Sequence, residues 1–486
     1  MRLHFLAAAI ASTLALAGCV SSGGLHPDGT PTDPASLKAD RSLAGFHLSP
    51  AAWPAADWWT GLGDTQLDTL IAEALQDNPG LAAADARARA AQAEAGVADA
   101  ARGPSVNGGA AVAGAHPPAA LLGNKAHFEM AKYGYASFKW DLDLWGGKRA
   151  AWEAAVGQAR ATEIDARAAR IELSGNVARA YAQLGYAFTQ QDLAAGELQR
   201  ASQSRELTRQ RVASGIDNQI QLKESDAEVA TAEQDAALAK RAVDAARSSL
   251  AVLLGKGPDR GLDIARPQLL KPAELAVPAN LPVDLLGHRA DLVAARWRVE
   301  ASARDIKAAK TEFLPNISIG AMAGVISMGG GNPLTLPSRF YQFGPSLSLP
   351  IFDGGKLRAN LSGKDAQYDL AVAQYNQTLV SALNQVADEL SALQSVRDQL
   401  AAQQRAQDAA QQAWELALQR YKAGIGSYLE ALVVRQQLLT ANRGIAALQA
   451  QQVDLSVQLI QALGGGFQPQ AGVPAMPSPS SHSSRS

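Results

Sequence analysis

A chain of 486 residues with 44 basic and 46 acidic side chains has a formal charge of −2, so it lacks the basic excess that a nucleic-acid-binding surface needs. Hydrophobic residues make up 47% but aromatics only 6%, and much of the apolar share is alanine, which favours long, closely packed helices over a bulky aromatic core. The one cysteine, Cys19, excludes an intramolecular disulfide.

The chain opens with Arg2 and His4, an apolar run from Phe5 to Ala17, then Gly18 and Cys19. This is the layout of a secretory signal peptide over residues 1–18. Leu16-Ala17-Gly18-Cys19 resembles a bacterial lipobox, which implies lipid attachment at Cys19. No aspartate follows the cysteine, and in the lipoprotein pattern that favours the outer membrane. Buried acyl chains, at about 0.8 kcal/mol per CH₂, would anchor the chain firmly. Residues 19–60 are expected to be this anchor and a spacer containing Pro, Gly and Ser. No later run reaches about 18 apolar residues, so a membrane-crossing part has to be a β-barrel.

From residue 61 the chain is written twice. Leu81 and Pro104 in the first copy correspond to Leu292 and Pro315 in the second. Arg211-Val212-Ala213-Ser214-Gly215-Ile216 matches Arg420-Tyr421-Lys422-Ala423-Gly424-Ile425, a register that holds until Leu254-Gly255 meets Leu463-Gly464. Two repeats, 61–256 and 283–467, are therefore expected, joined by a Pro-punctuated linker at 257–282. Each begins with a helix of about 30 residues (70–101, 283–312), roughly 45 Å long. Strands near 105–114 and 134–145, and near 316–326 and 340–352, come next. Proline-free helices over 148–213 and 356–422, each about 100 Å long at 1.5 Å per residue, turn at Gly215 or Gly424 into helices 217–254 and 426–463. Residues 468–486 read as a disordered Pro/Ser-rich tail.

Strand alternation is the second discriminating pattern. Ala136, Phe138, Trp140, Leu142 and Leu144 alternate with Ser137, Lys139, Asp141 and Asp143, while Tyr341, Phe343, Leu347 and Ile351 alternate with Gln342, Gly344 and Ser348. Period two over about 9–11 residues fits barrel strands that are apolar toward lipid and polar toward a lumen. Lys139, Asp141 and Asp143 are then lumen residues. Four strands cannot close a transport barrel, so the chain has to associate with itself, and three copies would supply twelve strands.

These residues resemble the outer-membrane factors of bacterial tripartite efflux, in their lipoprotein branch. The resemblance runs from Trp58 to Phe467. It is carried by Trp58-Trp59 with Asn78-Pro79, by Trp140-Asp141-Leu142-Asp143-Leu144-Trp145-Gly146, and most specifically by the run Leu349 to Leu361 (LPIFDGGKLRANL). Ala290 stands where the family more often has proline, and Phe467 where it has tryptophan. The resemblance implies a mainly helical trimer with a twelve-stranded β-barrel on a twelve-helix α-barrel. It also implies partners: a periplasmic adaptor and an inner-membrane transporter, usually proton-driven. In the family, positions six beyond the turn glycines often carry acids lining a closed aperture, which points to Glu430 and, departing from the acidic pattern, Gln221. Arg211, Arg420 and Tyr421, across the turn, are the candidates for locking it.

No enzyme is expected. The seven histidines have no metal-ligand spacing, no GxSxG exists, and Gly354-Gly355-Lys356 is followed by Leu357 where a phosphate loop needs Ser or Thr. No cofactor is called for. The competing reading is a lipid-anchored periplasmic scaffold or adaptor without a pore.

Overall fold

In the computed structural model, residues 21–43, 53–116, 128–268, 270–272, 281–328 and 331–468 are described. The signal segment, Cys19, residues 273–280 of the linker and the tail from 469 onward lie outside them. The chain divides into two compact units. One comprises residues 1–31, 87–163 and 294–376, and the other 32–86, 164–293 and 377–486.

After a single helical turn at Asp40–Leu43, the first repeat runs α1 (Thr65–Asp77), α2 (Pro79–Ala100), β1 (Ser105–Ala115), β2 (Glu129–Asp141), α3 (Gly147–Ala213) and α4 (Gln219–Leu253). A short α5 (Pro258–Leu262) follows. The second repeat runs α6 (Leu281–His288), α7 (Ala290–Thr311), β3 (Asn316–Met328), β4 (Arg339–Ser348), α8 (Lys356–Lys422) and α9 (Tyr428–Ala462). Both α3 and α8 have 67 residues, and both α4 and α9 have 35. Among the described residues no helix is long and apolar enough to cross a membrane.

Each opening helix is broken where the sequence reading had it continuous. A glycine past the last helix of the repeat packs against the break in both cases. Gly255, just past α4, has φ +70 and sits against Asp77, Asn78 and Pro79, while Gly464, just past α9, has φ +100 and sits against His288 and Arg289. At the breaks, Asn78 Nδ2 donates to the Leu253 carbonyl at 2.7 Å, and Arg289 Nη1 donates to the Ala462 carbonyl at 2.9 Å. The late carbonyls of α4 and α9, which have no partner within their own helix, are thus satisfied by the start of the same repeat.

The four strands form one antiparallel sheet in chain order, β1-β2-β3-β4. Its register aligns Val106, Phe138, Ala321 and Phe343 across all four strands. Trp140 pairs with Ile319, and Ala323 with Tyr341, so the alternations of the two repeats put their apolar members on one face. Tyr341 and Phe343 remain 82% and 84% exposed there. The other face carries Ser105, Lys139, Asp141, Ser318 and Ser346, with the last two joined through their hydroxyls at 2.7 Å.

The lumen assignment needs one correction. β2 ends at Asp141, so Asp143 is not a strand residue. It adopts φ +45, and its carboxylate accepts the Lys148 and Arg149 amides at 2.8 and 2.9 Å. These are orphan donors at the start of α3, where a carboxylate is favoured. Asp353 does the same for α8, accepting from Gly355 and Leu357 at 3.0 and 2.6 Å. Asp141 keeps to the polar face but is tied to Lys148 Nζ at 2.8 Å, and Lys139 is the exposed charge of the three.

Ser21, Gly29 and Thr30 of the spacer are held as well. In the first unit Arg358 Nε donates to the Ser21 carbonyl at 2.9 Å, Gly29 N–H to Asp369 at 2.7 Å, and Asn376 to the Thr30 carbonyl at 3.1 Å. The segment therefore runs along α8. In the second unit the core gathers Trp58, Leu62, Leu67, Leu70 and Ile71 around Tyr181 and Leu184 of α3. Buried Asp64 ties it together by accepting from the Tyr181 hydroxyl at 2.7 Å and from the Gln268 amide at 3.0 Å.

Candidate functional site

The two turns between long helices are built alike. Gly215 and Gly424 take φ +71 and +76, a region glycine enters without strain. The Ile216 amide donates back to the Arg211 carbonyl at 2.9 Å, and the Ile425 amide to the Arg420 carbonyl at 3.1 Å, closing each helix in a Schellman arrangement. The next helices are capped differently. Asn218 and Gln221 form a reciprocal capping box on α4, whereas Ser427 Oγ accepts the Glu430 amide at 3.1 Å on α9.

The side chains diverge from the repeat symmetry here. Arg211 grips Asp217 through Nε at 2.7 Å and Nη2 at 3.2 Å. The hydroxyl of Tyr421, from the other repeat, donates to the same carboxylate at 3.0 Å, and the Arg211 guanidinium lies 4.6 Å from the centre of the Tyr421 ring. Arg211 and Tyr421 are thus brought together around Asp217, whose counterpart in the second repeat is Gly426. Arg420 takes a different course: it faces Glu430 at 3.9 Å, with both side chains about half exposed. Gln221 spends its side-chain carbonyl on the Asn218 amide at 2.7 Å. It is a capping residue, which does not suit an aperture ring. Ile216, Ile220, Ile425 and Leu429 surround the turns as exposed apolar side chains.

Hydrogen bonds from Arg211 and Tyr421 outweigh partial burial and hold the Asp217 carboxyl below its ordinary range. Its stabilising contribution is therefore complete above the unfolded carboxyl value of about 3.9 and is lost as pH falls through the lower folded value. If the chain is the channel that the resemblance implies, single-channel conductance is expected to rise on acidification below a pH of about 4, and Asp217→Asn should flatten that rise. A wild-type profile identical to that of the variant would take Asp217 out of the closed state.

The sheet with one apolar face and the paired 67- and 35-residue helices have counterparts among known proteins. The outer membrane efflux protein family matches residues 70–256 and 281–465, one stretch for each repeat. The chain belongs to the outer membrane efflux protein family. The fusaric acid resistance protein FusA of Burkholderia cepacia is 37% identical over 74% of this chain and 69% of its own length. The outer membrane protein OprJ of Pseudomonas aeruginosa is 33% identical over 89% of this chain and 91% of its own. The crystal structure of VceC from Vibrio cholerae superposes with a TM-score of 0.78 at 34% identity, covering 86% of this chain and all of that one. As a member of this family the chain is an outer-membrane channel component of an efflux system.

Proposed function

We propose that three copies of the chain close one twelve-stranded barrel in the outer membrane and work as the passive exit duct of a tripartite pump. The sheet carries this reading. Among the described residues its four strands leave β1 and β4 without a further neighbour, and its apolar face is exposed. Both features call for lipid on one side and more copies of the sheet at each end. Acylation of Cys19 would anchor each copy. The exposed isoleucines at the turns offer an apolar surface to a periplasmic adaptor, which would connect the duct to a proton-driven inner-membrane transporter. Relatives named for fusaric acid and multidrug resistance support small organic toxicants as the cargo. The protein would form or break no bond. It would lower the barrier to crossing by offering a water-filled path whose charged rings select what passes.

The purified, acylated protein should run as a heat-modifiable trimer and conduct ions across planar bilayers with cation preference. If three Glu430 side chains ring the aperture, Glu430→Lys should reduce that preference. Unchanged selectivity would remove Glu430 from the path. A monomer that passes no current would favour a poreless scaffold instead.

A further inference from the structure

A second charged cluster lies along the same four helices, away from the turns. Glu197 and Arg200 on α3, Glu228 on α4 and Arg435 on α9 keep only 11%, 17%, 19% and 17% of their side chains exposed. Glu197 divides its two oxygens. Oε1 accepts from Arg200 through Nε at 3.0 Å and Nη2 at 2.5 Å. Oε2 accepts from Arg435 through Nε at 3.1 Å and Nη2 at 2.7 Å. Arg200 also donates to Glu228 Oε1, and Glu228 Oε2 takes the Tyr428 hydroxyl at 2.7 Å. Trp414 of α8 lies beside both guanidiniums, 5.8 and 5.4 Å from its ring centre. Two arginines and two glutamates cancel in charge, and all four carboxylate oxygens are taken.

Such a cluster resists separation far more than a surface pair does, because parting it strands charge in a poorly solvated place. The neighbouring Arg205–Asp226 pair, 48% and 30% exposed, is of the weak kind. The 11 residues from Arg200 to Arg211 amount to about 16 Å of helix. Tyr428, which the cluster holds, also packs its ring 5.5 Å from that of Tyr421, so the two groups are joined through one aromatic contact.

We infer that Glu197, Arg200, Glu228 and Arg435 form a fulcrum that positions the aperture by holding α9 against α3 and limiting how far the turns below can part. This rests on the aperture reading above. The four are positioning residues that act on the turns as a second restraint beside the Arg211–Asp217–Tyr421 group. With that group intact, weakening the fulcrum has little effect on current. With it broken, the fulcrum sets the width.

The test uses full-length trimers in planar bilayers. Asp217→Ala should raise conductance, and adding Arg435→Gln should raise it by a further factor of about three or more, a coupling of the size that shared networks give. Arg435→Lys in the same background should return it toward the Asp217→Ala value. A double variant no more conductive than Asp217→Ala, in an assembled trimer, overturns the fulcrum and leaves the aperture reading standing. A silent Asp217→Ala would instead sink the aperture reading. In that case spin labels at Ser214→Cys and Ala423→Cys decide the fulcrum alone. Arg435→Gln should lengthen and broaden their separation, and an unchanged distribution in folded protein overturns the proposal.

Discussion

Asp217→Ala is expected to raise single-channel conductance several-fold while leaving the proposed trimer assembled. The substitution removes a forked ion pair and the acceptor of the Tyr421 hydroxyl in one step, at a carboxylate whose side chain is only 5% exposed. Hydrogen bonds to a charged group contribute about 1.5–3 kcal/mol, and the stranded guanidinium adds to the penalty. A loss of about 2–3 kcal/mol confined to the closed state would shift the closed-to-open ratio in each chain by roughly 30- to 140-fold. Arg420→Ala should do much less. Its pair with Glu430 is long and half exposed, and such pairs contribute about 1 kcal/mol at most. Equal, unaltered conductance in both variants would mean that Asp217 does not hold the turns closed.

Gly464→Ala is expected to prevent folding. The residue has φ +100, and an added Cβ would stand 1.8 Å from the His288 carbonyl oxygen. The obstacle is backbone, so no side-chain rotation relieves it, and the left-handed conformation is itself strained for alanine. Together these place the loss above about 4 kcal/mol, in the exceptional range for a single substitution. Gly257→Ala is the control, since its φ is −70 and nothing lies near the added atom. Yield of folded protein and thermal unfolding are the measurements. A Gly464→Ala protein with wild-type yield and melting would disprove the close approach of the two ends of the second repeat.

Much of this architecture could be read from residue order. Phe138 and Phe343 sit in alternations of opposite parity, yet the register brings them to the same face because the side-chain period of a strand is two. The repeat positions of Gly215 and Gly424 located both helix turns. Other features were hidden for physical reasons. Asp143 continues the polar alternation of β2 by coincidence, and the unsatisfied amides at the start of α3 claim it instead. The break before α7 carries no proline to announce it, because Ala290 follows Arg289. Repeat symmetry itself misled the search for a lock. It sets Arg211 beside Arg420 and leaves out Asp217, whose counterpart is Gly426, although Asp217 is the acceptor shared by Arg211 and Tyr421. The segment along α8 is held mostly through backbone groups, which leave no trace in residue type.

The outermost strands have a consequence for biogenesis. β1 and β4 each turn one row of amides and carbonyls away from the sheet, and every such group left bare in hydrocarbon costs several kcal/mol. A solitary subunit would thus carry two bare strand edges into hydrocarbon. In the proposed trimer, entry into the membrane and recruitment of sister subunits are then coupled, because only the neighbouring copies would cover those edges.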